Sequence, residues 1–239
     1  MTARQMTEAL FNAKPGESLD FAAKDLRDLD LSGLDFKRAR MAGADLYGVD
    51  LTGSDLTGVD LSGSRLDRSI LIRADFSGAD LHGASMQRPS AYSTLHFDLR
   101  EAPRFKGANL RGVRITARLD GADFSGADLS HANIAPYDVH GDITITPRNV
   151  LNSCNFSGAR MTGAVLTWAQ LRFSRFAGTD LRGVDFTHAD LSGADLSGAD
   201  VSGADFTNAD LYGVRLAGVK GLDTAKGLEL AINLDKAQR

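Results

Sequence analysis

Large apolar residues recur along this chain at every fifth position. Phe21, Leu26, Leu31 and Phe36 open one register that runs on to Met86, and thirteen further repeats run from Phe156 to Leu216. Two short runs lie between them, Phe105–Leu110–Ile115 and, shifted by one residue, Leu119–Phe124–Leu129–Ile134. Two residues before most of the large residues stands a small one, as at Ala189, Ala194, Ala199, Ala204 and Ala209. On a helix, five residues advance about 500°, so the large side chains would walk around the cylinder. On a flat strand, five is odd, so they would alternate between faces. Neither element buries them all. The period predicts a chain that turns a corner within every repeat, with Gly and Ser after the large residue serving the turns. Four corners close a coil of 20 residues, hydrogen-bonded to the next at a spacing of about 4.8 Å. The 34 repeats then give about 8.5 coils and a rod roughly 40 Å long.

From Ala189 the sequence reads ADLSG ADLSG ADVSG ADFTN ADLYG. This resembles the pentapeptide repeat family, whose repeat is A(D/N)LXX, and the likeness covers most of residues 21–216. The resemblance implies an all-β fold, a right-handed quadrilateral β-helix. It implies no single function, because the family includes DNA-mimicking protectors of type II topoisomerases as well as members without a known role.

Solenoid ends expose core and strand edges and need covering. At the N-terminus, residues 1–20 place Met6, Ala9, Leu10 and Ala13 at helical spacing, with Pro15-Gly16 as a stop. At the C-terminus, residues 217–239 offer Leu222, Leu228, Ile232 and Leu234 for a second short helical cap. Both read as lids; the resemblance adds a homodimer through a terminal cap as the alternative. Two segments, near 87–104 and 135–150, break the register and carry prolines and aromatics that the repeats lack, although Leu95 and Leu151 are candidates for degenerate core positions that would shorten the loops. Insertions of this kind bulge from a solenoid face and either pack on it or carry function.

Composition removes most chemistry. The single Cys154 excludes an internal disulfide framework and a four-cysteine zinc site, and it falls in a small inward slot where a thiol is an inert filler. The five histidines are not spaced as metal ligands, and His82, His131 and His188 fall at outward positions. No nucleophile elbow, P-loop or dinucleotide glycine pattern is present. A column filled by four large and four small side chains per coil leaves no substrate cavity. The reading is therefore a non-enzymatic protein with no catalytic residue, cofactor or metal. No run of 18 apolar residues occurs, which gives no candidate span of a membrane. No charged-then-apolar leader opens the sequence, so the expected location is the cytoplasm, or the periplasm or exterior if a leader has been removed.

Net charge is −4, too close to balance for a general nucleic-acid binder. Its distribution is uneven. Residues 1–85 carry 10 basic against 14 acidic groups, residues 86–118 carry 7 against 2, and residues 119–239 carry 10 against 15. A rod with a basic waist is a poor copy of a duplex, which is negative along its whole length. Asp180, Asp185, Asp190, Asp195, Asp200, Asp205 and Asp210 precede successive large residues. They point to successive faces, form no single stripe, and suit bonds to nearby turn amides. The favoured function is a rigid scaffold for an unidentified protein partner, with a topoisomerase protector as the alternative. The candidate partner-binding residues are Trp168, Phe173, Arg172 and Arg175, where an outward Trp and Phe and two basic groups replace the usual polar surface. Outward aromatics need cover or a partner, and the segment at 135–150 is the expected cover.

Overall fold

The computed structural model describes residues 1–14, 17, 19–94, 97–136 and 149–238. Its backbone is a stack of parallel coils. Asp30 pairs with Asp50 and Asp50 with Ile70, and the same 20-residue step repeats through most of the chain. Four such ladders run along the rod, the third interrupted between Ser90 and Arg118. They begin at Asp20, Asp25, Asp30 and Asp35 and are called the first to fourth ladders below. The first has ten rungs, from Asp20 to Lys220, which makes the rod about 43 Å long at the strand spacing.

One repeat shows why five residues suffice. Asp50 N–H donates to Leu29 O (2.9 Å), Leu51 N–H to Ile70 O (2.8 Å) and Gly53 N–H to Ile72 O (2.7 Å), which ties the coil to both neighbours. Ser54 N–H closes the turn on Leu51 O at 3.0 Å. The remaining amide, Thr52 N–H, is taken by the carboxylate Oδ1 of Asp50 at 2.8 Å. Every donor of the repeat is thus satisfied, as buried backbone requires. The aspartate supplies the acceptor that no neighbouring coil can reach. Asn does the same at Asn133, whose Oδ1 accepts from Ala135 N–H at 3.1 Å, so either residue serves the slot. Gly53 sits at φ +65°, a conformation that glycine reaches without the Cβ clash of other residues.

The large residues fill the column. Phe76, Phe105, Phe124, Phe156 and Phe176 form one parallel stack on the fourth ladder, with centroids 4.9–5.1 Å apart. Ala194 is fully buried in the same column. Enlarging it to leucine is expected to cost about 1–3 kcal/mol by overpacking, read from the midpoint of thermal unfolding; a native-like midpoint would contradict this register.

Helix α1 (Ala3–Asn12) starts at a capping box in which Thr2 Oγ1 accepts from Gln5 N–H and Gln5 Oε1 accepts from Thr2 N–H. It buries Met6 and Leu10 against the first coil. Lys37 Nζ donates to Leu10 O at 2.6 Å, a cation at the negative end of the helix. The expected stop at Pro15-Gly16 lies outside the described residues.

The C-terminal segment differs from expectation. Residues 217–238 form no α-helical cap but one further coil, in which Lys220, Lys226, Ile232 and Gln238 pair with Asp200, Asp205, Asp210 and Arg215. Its sides are six residues long. The sequence repeats as GLDTAK, GLELAI and NLDKAQ, with Gly221, Gly227 and Asn233 in left-handed conformations and 3-10 turns at Leu228–Leu230 and Leu234–Lys236.

The insertions are narrower than the full register breaks, and Leu151 holds a buried core position, while Leu95 lies outside the described residues. Ser90 keeps its rung on the third ladder and Arg104 takes the next on the fourth, so the first insertion is residues 91–103. Gln87 and Ser90 belong to the coil. Asn149, Val150 and Leu151 return to it after the second, whose residues 137–148 lie outside the described residues. Asn149 is fully buried and clasps that junction, donating to Ile134 O (2.8 Å) and accepting from Ala117 N–H (2.6 Å).

Candidate functional site

The edges of the rod, where the chain turns, carry its outward side chains. On the edge between the second and third ladders stands Trp168, half-buried, with φ +61° and its ring stacked on His188 at 4.0 Å and 14°. The two lie 20 residues apart, on neighbouring coils. On the next edge Phe173 is 65% exposed. Its ring lies over Gly193, where a Cβ would come within 2.6 Å of it. Arg172 shares that edge and bonds Asp190 through Nε at 2.5 Å. Arg175 is exposed on the fourth ladder between Asn155 and Asp195. The structure therefore brings Phe173 and Arg172 together, sets Trp168 one edge away, and puts Arg175 on the adjoining face. The expected cover, the segment near 135–150, falls largely outside the described residues.

His188 holds the outward position expected of it, but it is the stacking partner of Trp168 and not an isolated solvated group. The 20-residue coil holds the signal, since residues one coil apart touch. His82 is likewise engaged, with Nδ1 2.9 Å from Asp80 Oδ1. Cys154 is fully buried, burial pushes its thiol well above the ordinary range, and its Sγ donates to Leu119 O at 3.0 Å. Among the described residues no group of three or more His, Cys, Asp or Glu is placed to hold a metal ion, and no helix is long and apolar enough to cross a membrane.

The first insertion packs onto the rod. The Tyr92 phenol donates to Asp120 O, Phe97 meets the Tyr92 ring edge-on at 5.5 Å, and the Arg118 guanidinium lies 4.0 Å over Phe97. Burial raises the Tyr92 hydroxyl and the Asp120 carboxyl above their usual ranges. Ser93 holds Glu101 through its N–H and its hydroxyl, at 2.8 and 2.6 Å. These contacts satisfy a surface loop and assemble no nucleophile beside a base.

The seven successive aspartates from Asp180 to Asp210 each accept the backbone N–H two residues on. They occupy all four ladders in turn. Their carboxylates serve the turns and do not line up as a row of phosphates would.

Comparison with known proteins agrees with this geometry. No curated protein matches the chain. Among solved structures it is similar to HetL, a pentapeptide repeat protein involved in heterocyst differentiation regulation from the cyanobacterium Nostoc sp. strain PCC 7120. That similarity has 25% identity and a TM-score of 0.50, covering 100% of this chain and 94% of that one. It is also similar to a trypsin-treated variant of QnrB1, a plasmid-mediated fluoroquinolone resistance protein, with 23% identity, a TM-score of 0.43, and coverage of 91% and 96%. The family model for pentapeptide repeats matches in eight copies over residues 25–58, 50–88, 117–135, 150–187 and 185–220. With a repeat-by-repeat match over more than half its length, and ladders in which each repeat supplies one rung, the chain belongs to the pentapeptide repeat family.

Proposed function

We propose that this protein is a non-enzymatic scaffold, a rigid right-handed quadrilateral β-helix that binds a protein partner through Phe173, Arg172, Trp168 and Arg175. The observation that carries this is Phe173. It occupies a left-handed turn position, φ +58°, that Gly53, Gly193 and Gly213 fill on the same edge, and it leaves 65% of itself in solvent. A bulky residue there is strained by about 1–2 kcal/mol and recovers little of that by burial. Strain of this kind clusters at sites of function, and the Arg beside it and the Trp one edge away are hot-spot residue types. The bound-up aspartates and the basic waist do not favour the topoisomerase-protector reading.

The Phe173→Gly variant tests it. It relieves the backbone and is expected to melt at or above the wild-type temperature. Immobilised on a column, it should lose a partner from host lysate that wild-type protein retains. If both retain the same proteins, the patch is not the binding site.

A further inference from the structure

The repeat's acidic slot is empty of acid along one side of the rod. On the second and third ladders the rungs from Arg65 to Gln170 are Arg65, Ile70, Ser85, Ser90, Arg114, Arg118, Asn133, Val150, Val165 and Gln170. Asp45 and Asp50 bound this window on one side, Asp185 and Asp190 on the other. Its five coils span about 19 Å, the length of an extended peptide of roughly six residues.

The edge between these two ladders is also hollowed. Strands β1 (Ser85–Gln87) and β2 (Arg114–Thr116) run straight through the corner as a three-residue parallel pair. From Arg114 to Arg118 the chain spends four residues on a side that takes five in most coils. The corner therefore fails to project, and two adjoining hollows of about 310 and 370 Å³ open there. Gln87 and Thr116 line both. Around them stand Arg65, Arg68, Arg88 and Arg114, all exposed.

Their charge is directed outward. Asp67, the acid in the hollow, is engaged by Arg65 Nε (3.1 Å), Ser85 Oγ (2.7 Å) and Gln87 N–H (2.9 Å). Among the described residues, Arg68, Arg88 and Arg114 have no carboxylate in salt-bridge range. Arg68 and Arg88 sit on adjacent coils, Arg68 N–H bonding Gln87 O at 2.8 Å and Arg88 N–H bonding Thr116 O at 2.7 Å. Both are left-handed, at φ +56° and +52°, where glycine serves most other turns. Two strained arginines, one above the other, at a notch whose rungs carry no aspartate and whose one lining acid, Asp67, is already engaged, are independent observations that agree.

We propose that this notch binds a short acidic segment of a protein partner in extended conformation, its carboxylates meeting Arg68, Arg88 and Arg114. This rests on the scaffold reading and adds the chemistry of the partner. A nucleic acid fits less well, because a strand longer than the window would run onto the aspartate rungs at both ends. Arginine recognises carboxylates through paired N–H donors, and Gln87, Thr116 and Asn133 offer hydrogen bonds to the peptide backbone.

The test is fluorescence anisotropy of labelled hexaglutamate with the full chain, with hexalysine and hexathymidylate as comparisons. Saturable binding of hexaglutamate that weakens with salt is expected, with none for hexalysine. The Arg68→Gly/Arg88→Gly double variant should bind roughly tenfold more weakly or worse while melting no lower than wild type. The Arg4→Ala variant, which removes an exposed arginine from helix α1 at the end of the rod, should bind the peptide as wild type does. No saturable binding, undiminished binding by the double variant, or hexathymidylate binding as tightly as hexaglutamate would each overturn the proposal. A negative peptide result with lysate retention intact sinks the notch and leaves the scaffold reading standing; loss of retention alone does the reverse.

Discussion

Replacing Phe124 by alanine is expected to cost about 3–5 kcal/mol. Its ring lies between Phe105 and Phe156, 4.9 and 5.0 Å away and within 6° of parallel to both. It is fully buried, so truncation removes the transfer energy of a ring, leaves a void, and breaks two aromatic contacts each worth about 0.5–1.5 kcal/mol beyond their area. Backbone ladders on all sides hold the coils at their spacing, so the void cannot collapse. Stability in a solenoid is a sum of repeats and of interfaces between neighbours. The variant should therefore also unfold less cooperatively, its two ends separating near residue 124. Urea unfolding followed by circular dichroism measures both effects. A loss below about 1 kcal/mol would mean that the stack contributes little. Phe124→Leu, which keeps most of the volume, should lose much less.

Acid should unfold this protein earlier than its core would suggest. The Asp180 carboxylate is held down to about 2, first by the Arg182 side chain. Burial pushes Asp128 up, but bonds from Arg160 and Ser130 outweigh it and bring that carboxyl to about 2 as well. Asp195, Asp200 and Asp205 are lowered by the hydroxyls of Ser197, Ser202 and Thr207. A carboxyl whose folded value lies below its unfolded one stabilises the fold above the unfolded value and ceases to as pH falls through the folded value. The loss is expected between about pH 4 and pH 2. Stacked aspartates such as Asp180 and Asp200 repel one another, and protonation would relieve that. The lowered values show that the bonds win. Solvent screening keeps each partly buried site to about 1 kcal/mol or less, but the repeat multiplies it. The melting temperature should fall steeply across this window. Asp128→Asn, which preserves the acceptor oxygen without titrating, should flatten the fall. A melting temperature unchanged from about pH 7 to pH 3 would contradict the role given to the turn carboxylates.

The coil was legible because a period of five admits no other burial scheme, and because Ala, Asp and Leu each hold a fixed place in it. The C-terminal coil was hidden for the opposite reason. There the period becomes six, and Leu222, Leu228 and Leu234 suit a short helical cap as readily, although their spacing with Ala225, Ala231 and Ala237 marks a second repeat. The candidate site was half legible. Trp168 and Phe173 stand out as outward aromatics, but contacts across coils depend on register. His188 under Trp168 is visible only once residue 168 is laid over residue 188. The notch is harder still to foresee, because it arises from a single missing residue between Arg114 and Arg118 whose effect is felt on the neighbouring coils.

The phenylalanine stack passes both insertions without losing step, although Phe76 and Phe105 are 29 residues apart in sequence and Phe124 and Phe156 are 32. Closing a loop of 32 residues in place of 20 costs only about 0.4 kcal/mol in chain entropy. An inserted segment needs only to leave and rejoin at points one strand spacing apart. The rod is in this sense a mounting rail, on which evolution or a protein engineer can hang new segments at nearly any corner while the stack beneath keeps the rest of the molecule aligned.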